Sequence, residues 1–182
     1  MNLETERLIL RPWEDRDRAP LAAILGDPHV RRYYPSTATP EEVNAQIDHA
    51  IARTAEHGFH FWAAEHKTDR KLIGLVGVAS LSDRMRTVID SDPGVEIGWQ
   101  FDKNYWGQGL APEGARAWLD HAWKTLGFAE VVAFTAQTNL PSQRVMEKIG
   151  MRRDPADDFA HPNLAEGHPL RQHVLYRIKR PG

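Results

Sequence analysis

The sequence has 182 residues, with 23 Lys and Arg against 25 Asp and Glu, and no cysteine. A formal charge of −2 excludes a nucleic-acid binder that depends on a basic surface, and the lack of thiols excludes disulfides, thiolate metal centres and a cysteine nucleophile. The length suits one domain over 1–182, enough chain to bury about two thirds of its unfolded surface without covalent staples.

Met1 to Glu6 is acidic rather than apolar, and the longest apolar run, Leu72 to Leu81, is too short to span a bilayer, so a cytoplasmic protein with no membrane partner is expected. Residues 6 to 12 read as a strand with Leu8 and Leu10 on one face. A helix follows over Asp17 to Leu25, its stripe of Leu21, Ile24 and Leu25 ended by Gly26 and Pro28. Thr39 and Glu42 form a capping box around Pro40. It opens a second helix in which Val43, Ile47, Ala50 and Ile51 share a face, and Gly58 closes the last turn. Phe59 to Glu65 and Leu72 to Leu81, joined by a polar turn, predict an antiparallel hairpin. Gly74 and Gly77 in its second strand mark a bulge or a close approach. Ser82 to Pro93 reads as a polar, irregular loop.

Val95, Ile97, Trp99 and Phe101 then alternate with Glu96, Gly98 and Gln100, a strand whose polar face carries Glu96. From Leu110 the period is helical, with Gly114, Ala117, Trp118, His121 and Ala122 on one face. Between the two lies Trp106-Gly107-Gln108-Gly109-Leu110-Ala111. The first N–H groups of a helix lack partners and sit at the positive end of its dipole, so an anion is the natural guest. Gly107 and Gly109 allow close approach, and Pro112 occupies a first turn where its missing N–H costs nothing. A dinucleotide fingerprint needs glycine at 112 and a P-loop needs Gly-Lys-Ser/Thr, so both nucleotide readings weaken. An ordinary strand-to-helix turn is the plain alternative.

Val131 to Thr135 is a continuous apolar run, a strand buried on both faces, and strand, helix, strand in this order requires a parallel crossover. Asn139-Leu140-Pro141-Ser142 opens a short helix with Val145, Met146 and Ile149 on one side and Gly150 at its end. A last strand covers His173 to Ile178. His161, His168 and His173 match no ligand spacing, so no metal is expected.

Asn104-Tyr105-Trp106-Gly107-Gln108-Gly109 resembles the acyl-CoA pyrophosphate loop of the GNAT N-acetyltransferase superfamily, Gln/Arg-x-x-Gly-x-Gly/Ala, with Asn104 departing from the usual first residue. Thr5-Glu6-Arg7-Leu8-Ile9-Leu10-Arg11-Pro12-Trp13 and Val95-Glu96-Ile97-Gly98-Trp99 resemble the branch of ribosomal-protein alanine acetyltransferases, RimJ and RimL. Asn139, Ser142, Lys148 and Gly150 match a further segment of the superfamily, in which Met146 replaces a tyrosine and Met151 a phenylalanine.

The resemblance implies an α+β fold: a GNAT-like domain with a central mixed, mostly antiparallel, twisted sheet, a splayed parallel strand pair and flanking helices. It implies acetyl-CoA as cofactor. The pyrophosphate would lie on Asn104, Gly107, Gln108, Gly109, Leu110 and Ala111, the pantetheine along the backbone of Trp99, Gln100 and Phe101, and Asn139 and Ser142 near its inner end. Lys103, Arg116 and Arg144 are candidate contacts for the remaining phosphate oxygens. The implied reaction is direct transfer of acetyl to a primary amine, either a protein N-terminal α-amine or a small molecule. Glu96 is the expected base, or else a carboxylate that only pairs with a cation. Met146 cannot donate a proton, which leaves Ser142, Tyr105 or water as the acid. A homodimer fits the resemblance. A CoA-binding sensor without turnover and an unrelated nucleotide-dependent enzyme are the competing readings.

Overall fold

The computed structural model describes residues 1–182. In chain order it forms β1 (Leu3–Glu4), β2 (Leu8–Arg11), α1 (Arg18–Leu25), α2 (Pro40–His57), β3 (Phe61–His66), β4 (Lys71–Ser80), α3 (Asp83–Arg86), β5 (Val95–Phe101), α4 (Leu110–Lys124), β6 (Glu130–Ala136), α5 (Leu140–Lys148), β7 (Arg152–Arg153), β8 (Phe159–Ala160) and β9 (Gln172–Lys179). The strands make one sheet in the order β1-β2-β3-β4-β5-β6-β9-β7, with β8 beside β9. Every pairing is antiparallel except β5 with β6. The mixed, mostly antiparallel sheet expected from the sequence is therefore present. No helix is long and apolar enough to cross a membrane.

Local chemistry accounts for the well-marked elements. Thr39 accepts the Glu42 N–H and Glu42 accepts the Thr39 N–H, so two orphan donors at the start of α2 are satisfied, and Gly58 ends the helix at φ 83°. In β4 a Cβ at Gly74 would run into the Gln100 backbone and one at Gly77 into that of His60, so these glycines let neighbouring strands close up. The register shift between Ala64 and Glu65 lies opposite Gly74, the expected bulge.

The structure corrects two expectations and adds short strands. The strand expected over 6 to 12 is shorter, Leu8–Arg11, because Thr5 to Arg7 form the turn of a small antiparallel hairpin with β1, in which Thr5 and Arg7 bond Glu113 of α4. The segment after Ser82 is not wholly irregular: Ser82 caps the short α3, whose Met85 is buried with Leu81 and Ile89. The two-residue strands β7 and β8 had no periodicity to betray them.

The two faces of the sheet are covered differently. Val95, Ile97, Phe101, Val131, Ala133 and Val174 pack with Trp118 and Ala122 of α4 and Met146 of α5. Trp118 lies edge-on to Trp62 at 4.7 Å between ring centres, and both rings are buried. At Gly114 the helix sits so close to the sheet that a Cβ would stand 3.1 Å from Val76. On the opposite face α1 and α2 cover Ala63 and Leu75. That face carries Glu96, Gly98 and Gln100, and beyond β5 Leu81, Met85, Ile89 and Phe159 cover Val132 and Leu175 on it.

Candidate active site

The glycine loop is braced from the other end of the chain. Glu113, in the first turn of α4, accepts the Thr5 hydroxyl at 2.6 Å, the Arg7 N–H at 2.8 Å and the Arg7 Nε at 2.7 Å. Arg7 Nη1 also donates to the Gln108 carbonyl at 2.8 Å. Within the loop Gly107 and Gly109 hold φ of 75° and 79°, left-handed conformations that favour glycine. The N–H groups of Gly107, Gln108, Gly109, Leu110 and Ala111 make no hydrogen bond within the protein. Five adjacent free donors at a helix N-terminus are an anion cradle.

The strands entering and leaving this region part company. β5 and β6 share a single paired position, Glu96 with Val132, and beyond it they diverge towards the loop. Between and around them opens a cleft of about 940 Å³ that reaches from Gly107 and Gly109 to Glu96, Phe134 and His173. A groove of this size ending on free N–H groups fits a long, flexible, phosphate-bearing guest whose polar backbone completes the interrupted ladder.

Glu96 lies on the side facing the α1–α2 connector. It is half-buried by surface, and the surface it shows faces the inside of the cleft, so its carboxyl is surrounded by protein. Burial alone pushes its pKa up to about 8, with no charged partner or hydrogen bond acting on it. Nearby, burial raises the Tyr34 hydroxyl, Arg31 opposes this and Glu96 adds to it. The Arg31 guanidinium stacks on the Tyr34 ring at 3.8 Å and reaches the Gln100 side chain at 3.2 Å.

Residues 7–152 match the acetyltransferase (GNAT) domain family. The chain belongs to that family. It is 34% identical to YkkB of Bacillus subtilis over 150 residues, covering 82% of this chain and 84% of that protein. The crystal structure of a GNAT-family acetyltransferase from Bacillus anthracis superposes with a TM-score of 0.78 at 25% identity, covering 98% of both chains. RimL, a ribosomal L7/L12 α-N-protein acetyltransferase solved in complex with coenzyme A, shares the fold with a TM-score of 0.77 at 13% identity, covering 98% of both chains.

For a GNAT acetyltransferase, most of the residues singled out in the sequence come together. Trp99, Gln100, Phe101, Gly107, Gly109, Leu110, Ala111, Asn139, Ser142 and Glu96 all line the one cleft. Asn104 and Gln108 do not: their side chains lie on the outer side of the loop, where Asn104 bonds Asp102 and Gln108 bonds the Asn104 carbonyl. Only the Gln108 N–H belongs to the cradle. Asn139 caps α5 by accepting the Ser142 N–H at 3.3 Å and donates to Thr135 at 2.9 Å. The Ser142 hydroxyl has no protein partner. The Tyr105 hydroxyl donates to Asp69 at 2.6 Å, and this bond is the chief cause of a pKa pushed up to about 12.

Of the cations, Lys103 pairs with Asp27 and Arg116 is held by the Lys148 carbonyl, whereas Arg144 and Lys148 line the cleft. No group of three or more His, Asp or Glu side chains is arranged to hold a metal. Sequence reasoning missed the brace formed by Thr5, Arg7 and Glu113, although Thr5-Glu6-Arg7 stood in the resemblance. It also missed the connector residues Tyr33 and Tyr34, and it gave His161 and His173 no role although both line the cleft.

Proposed function

We propose that the chain acetylates a primary amine, with acetyl-CoA held along the parted strands and Glu96 taking the proton from the acceptor. The observation that carries this reading is the interrupted parallel ladder, which opens directly onto five free N–H groups. The N–H groups of Gly107 to Ala111 suit the pyrophosphate, and the unpaired edge near Trp99 to Phe101 suits the amides of the pantetheine. The coenzyme supplies an activated acyl carbon. The coenzyme A complex of RimL, a protein of the same fold, supports coenzyme A as the guest.

Glu96 suits the base role by position and by acidity. An α-amine has a pKa of about 8 and a lysine amine about 10. A carboxyl near 8 therefore exchanges a proton with an α-amine at almost no cost, the condition under which general-base catalysis is most effective. As the acceptor nitrogen bonds to the acyl carbon and the carbon–sulfur bond breaks, the surplus proton passes to Glu96 and the sulfur leaves as thiolate. A thiol of pKa about 8.5 needs little help in leaving. The free Ser142 hydroxyl is the donor available to it, because Tyr105 is held by Asp69 and Met146 has no proton to give. Direct transfer to the amine needs no acyl-enzyme, and no cysteine is present to carry one.

The test is calorimetric titration with CoA, NAD and ATP, followed by thiol release from acetyl-CoA with a panel of amines. CoA is expected to bind while NAD and ATP do not, and at least one amine is expected to release thiol. Binding of CoA without turnover on any amine or peptide would make the protein a CoA sensor instead.

A further inference from the structure

The chamber around Glu96 has walls that the transfer reaction itself does not require. Glu96 and Val132 are a register pair and so share a face of the sheet, Phe134 follows on that face, and His173, paired with Ala136 across β9, lies on it too. Phe134, His161 and His173 form one cluster: His161 and His173 are 4.7 Å apart between ring centres, and Phe134 is 6.4 and 6.3 Å from them. All three line the cleft. Across from them stand Tyr34 and Phe61, and the Phe61 ring packs on the bare backbone of Gly98.

Charge narrows the guest further. Glu96 is the only carboxylate lining the cleft, against Arg32, Arg144 and Lys148. Burial lowers the His173 pKa to about 4 and lowers that of His161, so both rings are neutral at pH 7. One amino group can share its proton with the Glu96 carboxyl, whose acidity matches it. A second would find no carboxyl in the cleft, and a guest carboxylate beside the amine would hold Glu96 protonated and unable to act as base. Phe134 lies two residues along β6 from the partner of Glu96, a separation of about 7 Å, which suits an amine one or two carbons from a ring.

We propose that the acceptor is a primary amine with a single amino group on an otherwise uncharged aromatic body, its ring against Phe134, His161 and His173 and its nitrogen at Glu96. This rests on the acetyltransferase reading above and goes beyond it in naming the acceptor's chemistry. Aromatic rings fill such a wall by offset or edge-on stacking, which an aliphatic chain cannot reproduce. The seat is formed by strands β6 and β9 and the segment after β8, which lie far from the glycine loop in sequence.

The test compares kcat/KM for phenylalanine amide, alanine amide and lysine amide, which offer the same α-amine and differ only in side chain. Phenylalanine amide is expected to exceed alanine amide at least tenfold, with lysine amide the poorest of the three. His161→Ala and Phe134→Leu, each checked for an unchanged melting transition, should bring the phenylalanine-to-alanine ratio below threefold, mainly through KM. Should Phe134→Leu fail to fold, the wild-type panel and His161→Ala decide. Equal rates for the three amides, or a preference for lysine amide, would overturn the inference while leaving the acetyltransferase reading intact. Thiol release with none of the three, while another amine of the panel releases it, would overturn the inference alone; release with no amine at all, CoA still binding, would overturn both.

Discussion

Glu96 holds a carboxyl where water and partners are scarce, and two measurable consequences follow. Glu96→Gln should lower kcat/KM for the amine about a hundredfold or more and remove the Glu96 ionisation from the rise in rate expected of the wild type towards pH 8, with the CoA dissociation constant unchanged. A pH–rate profile of both proteins checks this. The second consequence concerns stability. The folded pKa, about 8, lies above the ordinary glutamate value, so the folded state binds a proton more tightly than the unfolded chain. The contribution is fully present below pH 4 and is lost as pH rises to 8. Glu96→Gln should therefore leave stability flatter over that range and exceed the wild type at pH 9, as read by urea denaturation.

Arg11 shows the opposite arrangement, a buried charge fully answered. Its guanidinium bonds Asp17 at 2.7 and 2.9 Å and Glu65 at 2.9 Å, and Asp17 is 2% exposed. Arg11→Ala strands that carboxylate and should cost about 3–5 kcal/mol in urea denaturation. Alternation in the sequence was enough to put Glu96 on the polar face of its strand. It gave no hint that Arg11 is buried, because the residues answering it come from elsewhere in the chain.

Among the elements, the glycine loop is set by two independent devices. One is internal, the left-handed conformations at Gly107 and Gly109. A valine at 109 would be strained by about 1–2 kcal/mol, and Gly109→Val is expected to weaken CoA binding at least tenfold in calorimetry while the circular dichroism spectrum stays native. The other device is the Glu113 brace. Glu113→Ala removes the acceptor of three donors, two of them on Arg7 and one on Thr5, and should lower stability by about 1–3 kcal/mol and weaken CoA binding severalfold.

Elements were legible where their chemistry is local. Both ends of α2 are written in Thr39, Pro40, Glu42 and Gly58, and the turn before α4 in its two glycines. β7 and β8 were not legible, since two residues cannot express a period and their pairing with β9 is a tertiary event. The aromatic seat was hidden for the same reason: Phe134, His161 and His173 meet only once the sheet has formed.

Across the molecule, the strands from β1 to β5 and those from β6 to β9 meet at one paired position. The chief bond between the two groups is the shared apolar layer under α4. Hydrogen exchange should report this. CoA is expected to protect residues 98–101 and 107–111 and to leave the β3–β4 hairpin unchanged. Equal protection everywhere would instead mean general stabilisation by ligand. The mixed, mostly antiparallel sheet with its one parallel pair was legible because the landmarks stand in the family's order. How far the strands part was not, since a single paired position between two distant strands leaves no mark on the period of either.

The contact between Arg7 and Glu113 spans 106 residues of chain. Closing so long a loop costs more entropy than any neighbouring contact and is paid only when most of the sheet is in place. The earlier segment of the pair is thus required late: it must wait, unpaired with its helix, until α4 has been made and packed. Chain order and assembly order run opposite here, and the anion cradle is completed only after the two ends of that long loop have met.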